Sequence, residues 1–383
     1  MDDVPNIDRI KKTDGHGAAD NVGKTGHRVE AVDSEKTHEL EPLFVSIVVP
    51  VLNEGRFLGT VLRSLLDQEY PVDRFEILVV DGGSTDETLS IAGRVSQAYS
   101  NVKVFPNPAR LSSAGRNLGA RAARGDVVMF VDGHCEIPDR FLLSNLSDLF
   151  RRTGADVLCR PQPLQTAELT ATQQAIALAR ASWLGHNPGS HIFAAGEEGF
   201  VDPESSGAAY TRRVFETIGF FDESFDACED VDFNLRARDS GFRAFTSPSL
   251  TIRYRPRESL ASLFRQMMRY GSGRARLFGK HPRRGLPGAI LLGVPPLLVV
   301  TLAVFSFFSY SARILLLGLV LGYVVVVAAV STALSVKRGV GFLPAVGSAF
   351  MAIHAGLLAG FWKKVFEGSC RGPLTVSRGG GRR

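Results

Sequence analysis

Hydrophobic and polar positions fall into three unlike textures along the chain. Residues 1–42 carry mixed charge and few apolar side chains, too few to offset the entropy of ordering, and read as a disordered polar tail. From Phe44 short apolar runs alternate with helical stripes. Phe44–Pro50 predicts a buried strand, and Arg56–Gln68 sets Phe57, Leu58, Val61, Leu62 and Leu65 on one helical face. Phe75–Val80 predicts a second strand ending on Asp81, after which Ser84 and Glu87 have the spacing of a capping box. Val102–Phe105 predicts a third strand, Ser112–Arg124 a helix of small residues, and Val127–Val131 a fourth strand ending on Asp132. This alternation predicts an α/β fold with a mostly parallel, doubly wound sheet. Ligands of such sheets bind beyond the carboxyl ends of the strands, where Asp81 and Asp132 stand.

The pattern then loosens. Helices are expected over Glu168–Leu184 and Glu229–Asp239, and strands over Gly207–Tyr210, Phe242–Thr246 and Leu250–Tyr254. Glu258–Arg276 sets Leu260, Leu263, Phe264 and Met267 on one face and Arg265, Arg269, Arg274 and Arg276 elsewhere, the pattern of an interfacial amphipathic helix. Three stretches without charge follow, Leu286–Tyr310, Ile314–Val336 and Gly339–Trp362. Each exceeds the roughly twenty residues that cross a bilayer. The expected organisation is a polar tail over 1–42, a catalytic domain over 43–257, the amphipathic helix over 258–283, a membrane region of two to three spans over 284–365, and a basic tail over 366–383.

Composition refines this picture. Hydrophobic residues make up 45% of 383 and the net charge is +5, close to globular averages, which excludes collagen-like and coiled-coil chains. Cys135, Cys159, Cys228 and Cys370 are far apart, so neither a disulfide framework nor a zinc site is expected. No Lys/Arg block marks a nucleic-acid arm, and no nucleic-acid partner is expected. Asn21–Thr25 imitates the end of a phosphate-binding loop, but Ala18 stands where its first glycine belongs and no strand precedes it. Residues 1–41 lack an apolar signal region, so the expectation is a multi-pass cell-membrane protein with its catalytic domain in the cytoplasm. Three crossings would then leave Arg371, Arg378, Arg382 and Arg383 outside, against the positive-inside rule. Leu286–Tyr310, with Pro295–Pro296 at its middle, is the expected bent or re-entrant segment.

Acids at the edges of predicted elements carry the candidate chemistry. Asp81 is followed by Gly82–Asp86, a loop entering a helix and suited to approach a ribose or base. In an extended chain Asp132 and His134 point the same way and can share a divalent cation and a diphosphate. Glu229, Asp230 and Asp232 cluster at a helix start, where like charges raise an apparent pKa and where acids also serve the helix dipole.

Five segments in this order, Val45–Glu54, Ile77–Asp86, Ala114–Gly119, Phe130–His134 and Cys228–Asp232, resemble the motifs of inverting glycosyltransferases of family 2. With the C-terminal apolar stretches, the chain looks most like succinoglycan-type exopolysaccharide glycosyltransferases. That resemblance implies a Rossmann-like GT-A fold and a hexosyltransferase using a nucleotide sugar, with UDP as the expected nucleotide. It implies a nucleotide site of Asn53, Glu54 and Asp81, with Pro50, Gly83, Arg116 and Asn117 close by and Asp132 on the diphosphate. It also implies Asp230, with Glu229 beside it, as general base, and a divalent cation, Mg or Mn, at Asp132 and His134. The family usually shows Asp-x-Asp there, and histidine favours softer ions than a carboxylate does. Ser206–Tyr210, including Gly207 and Ala208, resembles the family's acceptor loop. Gln266–Tyr270 resembles the Gln-x-x-Arg-Trp signature of processive polysaccharide synthases, so Gln266, Arg269 and Tyr270 are acceptor candidates. A lipid-linked acceptor, the membrane and other polysaccharide-assembly proteins are the implied partners. A processive synthase and an inactive nucleotide-sugar-binding scaffold remain alternatives.

Overall fold

The computed structural model describes residues 41–369 apart from 165–167, 187–191, 194–195 and 206. The predicted tail over residues 1–40 with its Asn21–Thr25 decoy, Ser206, and the basic tail from Cys370 onward lie outside the described residues. The strands are β1 (Val45–Val51), β2 (Phe75–Asp81), β3 (Val102–Pro106), β4 (Val127–Phe130), β5 (Cys135–Glu136), β6 (Val157–Cys159), β7 (Gly199–Val201), β8 (Gly207–Thr211), β9 (Ala244–Thr246) and β10 (Arg253–Tyr254). The helices of the body are α1 (Leu58–Leu66), α2 (Thr88–Ala98), α3 (Ser112–Ala122), α4 (Leu142–Thr153), α5 (Ala171–Ala181), α6 (Arg212–Ile218), α7 (Glu229–Asp239) and α8 (Leu260–Lys280). Three long helices end the described chain: α9 (Pro282–Phe305), α10 (Tyr310–Ser335) and α11 (Leu343–Ser369).

Eight strands form one sheet in the order β3-β2-β1-β4-β8-β6-β9-β7, and β10 pairs with β5 apart from it. β1, β2, β3 and β4 are parallel, which explains their apolar runs: both faces are covered. Val45, Ile47, Val49 and Val51 join a core with Leu58, Leu62 and Leu146, while Val48, Leu78 and Val80 face the opposite core with Phe130, Tyr210 and Phe233. The chain leaves β1 for β2 and β3 and returns to β4 on the other side of β1. That reversal opens a crevice beyond the ends of β1 and β4.

Two local expectations fail. Ser84 and Glu87 make no capping box, because the Ser84 hydroxyl accepts the Asn53 N–H at 2.8 Å while Asp86 accepts the Thr88 N–H at 3.0 Å. Leu250–Tyr254 is a single short turn over Pro248–Leu250 followed by β10, because Thr251 N–H bonds back to Pro248 O.

α9, α10 and α11 are each long and apolar enough to cross a membrane. Pro287, Pro295 and Pro296 lie within α9 without interrupting it, so the expected break at Pro295–Pro296 is not met. Burial separates the three: 6% and 11% of the most apolar windows of α9 and α10 are buried, against 33% for α11. α11 packs on α8 through glycines. A Cβ on Gly360 would lie 1.8 Å from Met268 O, and one on Gly271 would lie 2.1 Å from Leu357 O. Leu263 and Met267 of α8, Ile176 and Ala179 of α5, and Val346, Phe350 and Ile353 of α11 share one apolar cluster.

Candidate functional site

The crevice is built from the carboxyl ends of β1, β2 and β4 and the first turn of α7. Asp81, 5% exposed, ends β2 and accepts the N–H groups of Gly83 and Ser84 at 3.0 and 3.1 Å. Asn53 takes a left-handed conformation (φ 56°) and its side-chain oxygen accepts the Thr85 N–H at 2.8 Å, tying β1 to the same loop. Pro50 pairs with Val80 in register, and Gly83, with φ of 77°, forms the turn after Asp81. Strained non-glycine conformations collect at functional sites. Besides Asn53, Arg110, Glu168 and Cys228 have positive φ, and Cys228 (φ 65°) immediately precedes α7.

Asp132, Arg116 and Glu229 form a chain of charge. Arg116 Nη2 lies 3.4 Å from Asp132 Oδ1 and its Nε lies 3.5 Å from Glu229 Oε1, with the guanidinium 5.2 Å from the centre of the Phe130 ring. Burial works against charge on Arg116, yet Asp132, Glu229 and Asp230 outweigh it and raise its pKa. Burial likewise pushes the Asp132 carboxyl up, but Arg116, His134, Arg160 and Arg257 hold it below the usual carboxylate range.

The three acids of α7's first turn have separate surroundings. Glu229 is buried against Arg116, and burial followed by the Asp230 charge raises its pKa. Asp232, 0% exposed, is held by Arg236, Lys280 and His281. Asp230 is exposed, and its carboxylate takes only the N–H of its own neighbour Val231 among the described residues.

Several expected site residues sit differently. Residues 132–135 form a turn, so Asp132 and His134 are not related by strand alternation. His134 instead packs on Tyr254 and brings Nδ1 to 2.8 Å from Glu54 Oε1, which leaves its Nε2 buried without a partner. Gly133 must lack a side chain, since a Cβ would lie 2.8 Å from Val51 Cγ1. Asn117 is buried away from the crevice, its amide spent on Phe221 N–H, Phe221 O and Glu223. Gly207 and Ala208 lie in β8, and the space beside Gly207 is filled by Asn234 Oδ1, which a Cβ would approach to 2.5 Å. The absence of a side chain at Gly207 thus serves the packing of β8 on Asn234 of α7. Gln266 is buried, accepting from Arg180, and Tyr270 lies against Arg180, but Arg269 is exposed and meets no polar group among the described residues.

Among the described residues no three His, Cys, Asp or Glu side chains group to hold a metal ion unaided. The orphaned Nε2 of His134 and the half-exposed Asp132 nevertheless fit a cation that completes its shell with phosphate oxygens. Arg160, Arg180, Arg257 and Tyr254 escaped the sequence reading. For Arg160 and Arg180 the one signal is a lone arginine in an apolar segment, as in Val157–Arg160 and Ala175–Arg180, while Tyr254 and Arg257 lie in the basic run Arg253–Arg257 and carry no such mark.

A doubly wound sheet with acids at its switch point, a free carboxylate opposite them and a pendant of apolar helices describes a GT-A-type transferase. Residues 46–219 match the family described as Glycosyl transferase family 2, and residues 190–325 match Glycosyl transferase family group 2. The succinoglycan biosynthesis protein ExoA of Rhizobium meliloti is 31% identical over 84% of this chain and 94% of its own length. The chain belongs to glycosyltransferase family 2 and is a glycosyltransferase with relatives in exopolysaccharide and lipid-linked glycan synthesis. A Methanococcus voltae relative, a dolichyl N-acetyl-α-D-glucosaminyl phosphate 3-β-D-2,3-diacetamido-2,3-dideoxy-β-D-glucuronosyltransferase, is 25% identical over 62% of this chain and 74% of its own. The fold matches the mannosyltransferase PcManGT of Pyrobaculum calidifontis, solved with GDP-Man and Mn2+. Its TM-score is 0.56 at 19% identity, over 87% of this chain and 91% of that one.

Proposed function

We propose that the chain transfers one sugar, with inversion, from a nucleoside-diphosphate donor, a UDP-sugar, to a lipid-linked saccharide at the membrane surface. The observation that carries this reading is the division among the acids of α7: Asp230 alone is exposed and uncommitted, beside an Arg116 fixed by Asp132 and Glu229. Asp230 takes the proton of an acceptor hydroxyl as its oxygen attacks the anomeric carbon opposite the diphosphate. Asn53, Asp81 and Gly83 hold the nucleotide, and Arg116 faces the phosphates. Asp132 and His134 would hold a divalent cation, Mg or Mn, which when bound neutralises charge on the leaving diphosphate. The lipid-linked substrate in the name of the M. voltae relative supports a lipid-linked acceptor, and the bound nucleotide sugar and Mn2+ of the P. calidifontis structure support a nucleotide-sugar donor and a divalent cation. Asp230→Asn is expected to abolish transfer while the variant still binds UDP; full transfer by that variant sinks the assignment.

At the membrane, α9 and α10 cross and α11 does not. α11 lies along α8 through Gly271, Gly356 and Gly360, and α8 carries Arg265, Arg269, Arg274 and Arg276. Drawing such a helix into hydrocarbon costs about 3 kcal/mol for each arginine at the centre. Two crossings also return the basic tail to the side of the catalytic domain, in keeping with the positive-inside rule. A membrane-impermeant maleimide is expected to label Ser309→Cys in intact cells and native Cys370 only after permeabilisation. Labelling of Cys370 in intact cells overturns the two-crossing reading.

A further inference from the structure

Two arginines, Arg180 and Arg257, each bury an unpartnered Nε and make no ion pair among the described residues, although the charge of Arg257 reaches Asp132 and lowers its pKa. Arg180, in the last turn of α5, is 5% exposed, and its Nε is buried without a partner. Among the described residues its only hydrogen bond runs from Nη1 to Gln266 Oε1 at 3.4 Å. Its guanidinium otherwise faces the rings of Phe193 and Tyr270, 5.2 and 5.8 Å from their centres. Arg257, in the link between β10 and α8, also buries an unpartnered Nε and makes no ion pair among the described residues.

The Arg180 guanidinium faces the Tyr270 ring, and burial raises the Tyr270 phenol, with the charges of Arg180 and Arg257 lowering it and that of Asp230 raising it. Arg257 also acts on Asp132. α8 is pressed onto the turn before α7, where a Cβ on Gly273 would lie 2.5 Å from Ala227 O and Cys228 Sγ lies 3.9 Å from Tyr270 O, so the Tyr270 backbone is held against the turn that leads into Asp230. His186, whose pKa burial and then the charges of Arg180 and Arg274 lower to about 4, supplies no negative charge.

An arginine cannot shed its proton to escape burial. A buried charge without a counter-ion is costly, by several kcal/mol. A planar guanidinium finds its best partner in a carboxylate or phosphate. The chain provides no such partner to Arg180 among the described residues, so the anion belongs to a substrate. Its position narrows the source: α5 packs against α11 and α8, at the seam between the body and the apolar helices, whereas Asn53 and Asp81 stand at the ends of β1 and β2.

We propose that Arg180, Arg257 and Tyr270 form a phosphate subsite on the acceptor side of Asp230, which takes the phosphate or diphosphate joining the acceptor glycan to its lipid. The subsite replaces Arg269, which the signature would have used, with an arginine from a different helix. It rests on the transferase reading above, from which its test is separable.

The experiment uses the full chain and two probes in parallel: phosphatidylcholine vesicles bearing polyprenyl diphosphate, with vesicle binding counted as the excess over plain phosphatidylcholine vesicles that take up the same apolar helices, and UDP in solution. Arg180→Gln and Arg257→Gln are each expected to weaken vesicle binding at least tenfold and to leave UDP affinity within twofold, with Arg180→Lys between wild type and Arg180→Gln. Loss of UDP affinity with intact vesicle binding assigns the arginines to the donor diphosphate and overturns the proposal, as does no change in either. Should Arg180→Gln fail to fold, judged by its thermal midpoint, Arg257→Gln answers the same question. Wild-type chain that binds both probes yet turns over no nucleotide sugar sinks the transferase reading alone.

Discussion

Asp232, at the start of α7, lies 2.8 Å from His281 Nε2, and His281 is the single residue between α8 and α9. The ionised carboxylate only accepts, so His281 Nε2 donates. Lys280 at 2.8 Å and Arg236 at 3.0 Å complete the shell. One buried acid therefore binds the first turn of α7 to the root of the apolar hairpin. Asp232→Asn leaves these cations facing a neutral group, and a loss of about 3 kcal/mol is expected. A thermal midpoint unchanged from wild type contradicts this.

The same acid predicts acid sensitivity. Burial raises the Asp232 pKa, but Lys280, His281 and Arg236 together hold it below the ordinary value. Glu76 behaves alike, burial being outweighed by bonds from Arg124 and Ser46. Unfolded values are about 3.9 and 4.3. Both groups thus add stability that is complete above those values and is lost as pH falls through the lower folded pKa. Denaturant midpoints should drop on acidification below about pH 4. Glu76→Gln should start lower at neutral pH and fall less steeply; an equally steep fall excludes Glu76 as a contributor.

Glu229 and Asp230 should part company in kinetics. Asp230→Asn removes the proposed base, for a loss of about 100-fold or more in kcat with donor KM unchanged. Glu229→Gln loosens Arg116 instead, and a loss of about tenfold with a raised donor KM is expected, since a bond to a charged group is worth about 1.5–3 kcal/mol. Steady-state rates that place the larger kcat loss on Glu229 reverse the assignment.

The seam between α8 and α11 has no room for a side chain at Gly360. Gly360→Leu should force the helices apart and lower the thermal midpoint in detergent, by about 3 kcal/mol or more of stability. Gly322→Leu on α10, where nothing lies within 4 Å of a new Cβ, is the control expected to change nothing. Equal midpoints for the two variants contradict the packing.

His134→Asp restores the family's usual pair of carboxylates and exchanges imidazole for a harder ligand. The ratio of activity in Mg to that in Mn is expected to rise. Measuring both metals on both proteins decides it, and an unchanged ratio removes His134 from the metal site.

The nucleotide-side framework was legible because period and punctuation coincide there. β1, β2 and β4 are continuous apolar runs closed by Pro50, Asp81 and Asp132, and α7 spans Glu229–Asp239 as its pattern predicts. What stayed hidden depends on partners distant in sequence. The Ser84–Glu87 spacing promised a cap, but Asn53, some thirty residues earlier, claims Ser84. Arg180 and Arg257 acquire meaning only when α5 and α8 meet. Hydropathy treats α11 like α9 and α10, because an apolar face looks the same whether lipid or another helix covers it, although 33% of its most apolar window is buried. Its Gly356 and Gly360, four residues apart on one face, were the available sign of a helix partner.

The α8–α11 seam also bears on which sugars can be joined. At Gly271 and Gly360 α8 and α11 meet with no side chain between them, and at Gly273 α8 comes nearly as close to the turn before Asp230, which sets the position of Asp230 along α8. On the lipid-linked acceptor proposed above, that position acts as a ruler: the acceptor offers only the hydroxyl whose reach from its phosphate equals the distance to Asp230. Selection among glycans of different length then follows from geometry, before any contact with the sugar being extended.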